Sequence, residues 1–122
     1  MNERGAGSVL AVAAITLVTF VGLALLAATQ IVTARARAAA AADAAALAAA
    51  PMTFPPVADG KSALATAMQL AEENGARLVS CLCSQVATFQ PRQVEVTVAL
   101  PIELPILGLR WVHASSAAEF VP

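Results

Sequence analysis

The sequence predicts an α+β protein behind one long membrane-spanning helix, and three observations carry that expectation. A segment of 30 residues from Gly5 to Ala34 has no charge, an alanine run continues it without a break, and alternating valines mark a strand far downstream. The expected architecture is a long N-terminal transmembrane helix with an alanine-rich extension, followed by a small helix and a two- or three-stranded antiparallel sheet. Residues 1–50 form the helix and its extension, 51–59 a linker, and 60–122 a small α+β domain outside the cytoplasm.

The span comes first. At 1.5 Å per residue the charge-free segment reaches about 45 Å, against a hydrocarbon core of about 30 Å. Its centre, Val9 to Leu26, is rich in Val, Leu, Ile and Ala, and only Thr16 and Thr19 are polar; their hydroxyls can bond back to the preceding turn. A cleaved secretory signal is the rival, with Arg4 as its charged start and Ala34-Arg35-Ala36 as a small-x-small site. Signal cores run only about 7–15 apolar residues, so an uncleaved anchor is favoured. The composition agrees: 59% hydrophobic against 12% charged residues departs from soluble proteins, where about 45–50% and about 25% are usual. A net charge of −1 without a basic run excludes the electrostatic footprint of a nucleic-acid binder.

From Ala34 to Ala50, thirteen of seventeen residues are Ala, interrupted by Arg35, Arg37, Asp43 and Leu47. Alanine has the highest helix propensity, so the span continues as one helix until Pro51. Small side chains let neighbouring helices approach closely, which makes Ala41, Asp43 and Ala45 the candidate assembly surface, with Asp43 free to meet a cation on a neighbour.

Beyond the linker, Asp59 is placed to cap a helix from Gly60 to Asn74, with Leu64, Ala67, Met68 and Ala71 as its apolar stripe and Gly75 as its stop. Glu72 and Glu73 read as a solvated face. Arg77 to Cys83 is a short strand, Gln93 to Leu100 a stronger one broken by Pro101 and Pro105, and Trp111 to Val121 a third. A core of this size is marginal alone.

Catalytic signatures do not occur: there is no Gly-rich phosphate loop, HExxH or nucleophile elbow, and no cofactor is implied. A metal on Cys81, Cys83 and His113 would lack both a fourth ligand and the usual cysteine spacing. An oxidising compartment would permit Cys81 and Cys83 to form a disulfide. Placing them on opposite faces of the strand, however, disfavours a bond between the two. That leaves a buried thiol at one and a disulfide to a partner at the other.

The order "ERGAGSVLAV", a long apolar span, "ARARAAAAADAAALAAA", a helix ending "ENGARLVSC" and the strand "VEVTVAL" resembles the TadE/TadG-like proteins of actinobacteria. The likeness covers most of the chain and is most specific around Ala42 to Ala48. It implies a pseudopilin or minor-pilin-like component of a tight-adherence (Flp) pilus or related secretion machine. Implied with it are partners among other pilin-like or Tad subunits and the membrane lipid. Gly5 corresponds to the processing position, although Leu10 stands where prepilin-like members carry Glu. The cysteine that such members place ahead of the one matching Cys81 is absent, its position falling near Leu64. The resemblance puts the distal domain outside the cell membrane, whereas Arg35 and Arg37 after the span favour the opposite side by charge counting. The resemblance is preferred here. The alternatives are a secreted effector or adhesin-like protein released by signal cleavage, and a membrane-bound accessory binding module.

Overall fold

The computed structural model describes residues 3–105 and 107–122, with side chains from Gly5 onward. The Arg4 charge, read above as the start of a possible cleaved signal, therefore lies outside the described side chains. The elements run α1 (Glu3–Met52), α2 (Pro55–Ala58), α3 (Ala63–Glu73), β1 (Arg77–Leu82), β2 (Arg92–Leu104) and β3 (Gly108–Phe120). The α+β expectation holds, with one long apolar helix, a small helix and an antiparallel sheet in the order β1-β2-β3.

Helix α1 is 50 residues long, or about 75 Å. It ends one residue past Pro51, whose missing amide denies the helix its next bond. Thr53 closes the last turn twice: its amide donates to the Ala50 carbonyl at 3.2 Å and its hydroxyl to the same oxygen at 2.6 Å. This satisfies the hydroxyl of a side chain that is fully buried.

The two halves of α1 differ. From Gly5 to Leu26 every side chain is exposed, whereas Ala34, Ala38, Ala41, Ala42, Ala45, Ala46, Ala49 and Ala50 are buried along a broad helical stripe. That stripe packs against β2, β3 and α3. The alanine-rich half and the distal elements thus share one core, rather than standing on either side of a linker. The segment after α1 is itself partly helical, with α2 ending at Asp59 in left-handed geometry (φ 48°).

Helix α3 starts later than expected. Ser62, not Asp59, caps it, its hydroxyl accepting from the Ala65 amide at 3.4 Å. Its buried face is Ala63, Ala67 and Ala71, while Leu64 and Met68 are about half exposed, at 52% and 48%. The sequence stripe followed hydrophobicity; the structure selects size, because α3 lies against the alanine face of α1, where only a short side chain lets the helices close. Gly75 terminates α3 as expected, at φ 73°. The Gly75 amide donates to Glu72 and the Ala76 amide to Ala71, both at 2.9 Å, so two terminal carbonyls are satisfied.

In the sheet, Val94, Val96, Val98 and Leu100 turn inward as their alternation requires. Pro101 does not break β2, which continues to Leu104 with Pro101 opposite Trp111. The last β1 partner of β2 is Ala99, so Pro101 lies where β2 has an open edge and a missing amide costs no ladder bond. Gly108, at φ 68°, opens the return strand, which therefore begins three residues before Trp111. The sheet runs the length of the alanine-rich half of α1, its far end at Phe54 and Phe120 and its hairpin end beside Gln30.

Candidate functional site

The candidate site is the uncovered half of α1. The described helix from Gly5 is long and apolar enough to cross a membrane, and none of its most apolar stretch is buried within the chain. The hydroxyl groups inside it are internally satisfied: Thr16 donates to Val12 and Thr19 to Ile15, each at 2.8 Å, with Thr29 to Leu26 at 2.9 Å and Thr33 to Thr29 at 2.8 Å. A hydroxyl bonded to the turn before it carries a smaller desolvation cost into lipid. Gly5 and Leu10 both lie on this exposed half.

The candidate assembly residues fall elsewhere. Ala41 and Ala45 are 0% exposed inside the chain's own core, and Asp43 is exposed on the other side of the helix. The expectation that Ala41 and Ala45 face a neighbour is corrected on this point, because their small side chains serve the close approach of the sheet and α3. A signal was present in the sequence. Arg35, Asp43 and Leu47 are spaced at multiples of four residues and so mark one side as outward, which leaves the alanines alone on the other.

The cysteines need a second correction. Positions i and i+2 of a strand share a face, so Cys81 and Cys83 lie on the same side, with Leu82 pointing away and 67% exposed. A register shift between Leu78 and Ser80 resets the alternation, and Leu78, Cys81 and Cys83 all pack against the core. Cys81 and Cys83 are joined to each other as a disulfide, with Cα atoms 5.3 Å apart. His113 is on the opposite face of the sheet, exposed and paired with Ala99, so the structure separates it from both cysteines. Among the described residues no three His, Cys, Asp or Glu side chains gather as metal ligands.

Sequence reasoning missed Arg92. Its guanidinium donates to the carbonyls of Thr53 (3.0 Å), Val86 and Thr88, and stands 5.6 Å from the Phe54 ring. It ties the loop after β1 to the end of α1, a role that no local spacing signals.

An exposed apolar helix thus continues, without a break, into an alanine-packed α+β head. Residues 5–52 match the family described as Flp pilus-assembly TadE/G-like, in agreement with the resemblance noted in the sequence. No curated protein and no solved structure matches the chain. The family match supports a role related to the Flp, or tight-adherence, pilus, structural rather than catalytic, in association with other subunits of that system. The apolar helix is compatible with a membrane anchor in such a system.

Proposed function

We propose that the chain is a pilin-like structural or accessory subunit of a tight-adherence pilus or related secretion system. It assembles through the N-terminal half of α1 and carries its α+β head outside the cytoplasmic membrane. The observation that carries this reading is the division of α1 into an uncovered apolar half and an alanine half with one face packed into the head. The uncovered half is open all round to lipid or to a neighbouring helix, whereas the alanine half exposes one face only, and the family match begins in the uncovered half. In the membrane it faces acyl chains; in an assembly, equivalent helices of other subunits replace them by dispersion packing.

A C-terminal alkaline phosphatase fusion, active only where its disulfides form, reports the side of the head. Intact-mass measurement of the membrane fraction reports whether the chain starts at Met1, at Ala6 or near Arg37. An active fusion, together with photo-crosslinks from Val12 and Val18 to small pilin-like subunits, is the expected result. An inactive fusion on a chain that keeps Met1 would overturn the assignment of the head to the outer side, and the pilin-like reading with it.

A further inference from the structure

The β2–β3 hairpin ends in exposed apolar residues that the anchor reading does not use. Leu107 is 59% and Leu109 61% exposed, Pro105 is exposed beside them, and nothing among the described residues covers them. Their position along α1 is defined. Leu104, Pro105 and Gly108 line one hollow together with Gln30, and Leu100 to Glu103 line another with Thr29, Thr33 and Arg37. The half-buried positions Ala27 and Ile31 extend the inward stripe of α1 to the same level.

With α1 as the anchor, that level falls at the edge of the bilayer. Val9 to Leu26 spans about 27 Å as helix, close to the roughly 30 Å hydrocarbon core. Gln30 then stands about 6 Å beyond Leu26, within the headgroup layer that makes up the rest of a bilayer about 40–45 Å thick. The charges nearby suit such a layer. Arg35 and Arg37 on α1 and Arg110 on β3 are exposed just above the tip, where long basic side chains reach lipid phosphates, and Glu103 is the acidic residue among them.

We propose that the tip of the β2–β3 hairpin, through Pro105, Leu107 and Leu109, is a second lipid contact, seated at the headgroup–acyl boundary of the leaflet from which α1 emerges. This rests on α1 being a membrane anchor. Two contacts fix the tilt of the head on the membrane where one helix alone leaves it free.

Tryptophan quenching tests this in full-length protein reconstituted into phosphatidylcholine–phosphatidylglycerol vesicles whose acyl chains are brominated close to the glycerol in one set, which reads the tip probes, and near the chain ends in another, which reads the probe at the middle of the span. In a Trp111→Phe background, which removes the only native tryptophan, single Trp probes are placed by Leu107→Trp, Leu109→Trp, Val18→Trp in the span and Phe89→Trp at the far end of the head. Each replaces an exposed side chain, so the head keeps its fold. The expected result is that Val18→Trp and at least one tip probe lose most of their emission while Phe89→Trp keeps its own. Quenching of Val18→Trp with both tip probes as bright as Phe89→Trp overturns the hairpin contact and leaves the anchor standing. An unquenched Val18→Trp overturns the anchor, and the hairpin contact falls with it.

Discussion

Ala45→Leu adds three carbons at a position with no exposed surface, in the seam where α1 meets the sheet and α3. The gain in apolar area cannot be realised there, because the added carbons have no space without moving an element. Overpacking of this kind costs about 1–3 kcal/mol. The cooperative unit from Ala34 to Pro122 has 89 residues, for which about 4–13 kcal/mol of total stability is typical. A loss of about 2 kcal/mol lowers the Tm of such a domain by about 8–16 °C. Ala39→Leu, on the exposed face of the same helix, is the matched control and should change stability by less than about 0.5 kcal/mol. Thermal unfolding of the full chain in detergent micelles, followed by β-sheet circular dichroism and Trp111 emission, separates the two. If Ala45→Leu melts with the wild type but loses subunit association, the alanine seam belongs between chains and the packing described here is refuted.

Gly75→Ala should cost about 1 kcal/mol through backbone conformation alone, since φ is 73° and an added Cβ would touch nothing within 4 Å; the same melting assay reads it, and an unchanged Tm would count against the left-handed stop of α3. Arg92→Ala removes the donors that hold the loop after β1, and charge-assisted bonds at a part-exposed site contribute about 1–2 kcal/mol. Amide exchange across residues 84–91 should accelerate while that of β2 and β3 stays slow, and uniform protection would contradict the latch. Alkylation of unreduced protein from an oxidising compartment should leave Cys81 and Cys83 both unmodified, with both labelled after reduction and unfolding. A single adduct before reduction would restore the picture of one free and one partner-linked cysteine.

The sequence by itself determined the span, its continuation through the alanine run, the inward valines of β2 and the glycine stop of α3. Each is a local matter: charge-free length, helix propensity, period-two alternation and left-handed geometry are all written within a few consecutive residues. Tertiary structure decided which face of a nearly uniform alanine helix is inside, and so moved Ala41 and Ala45 from a surface for partners to the chain's own core. It also preferred Ala63, Ala67 and Ala71 over the more hydrophobic Leu64 and Met68, because closeness to α1 rather than hydrophobicity set the requirement. Pro101 could remain in a strand only because β1 ends before reaching it, which depends on a pairing partner more than twenty residues away. The level of the hairpin tip beside Gln30 follows from packing some seventy residues of later chain back along α1, a distance relation that no window of sequence contains.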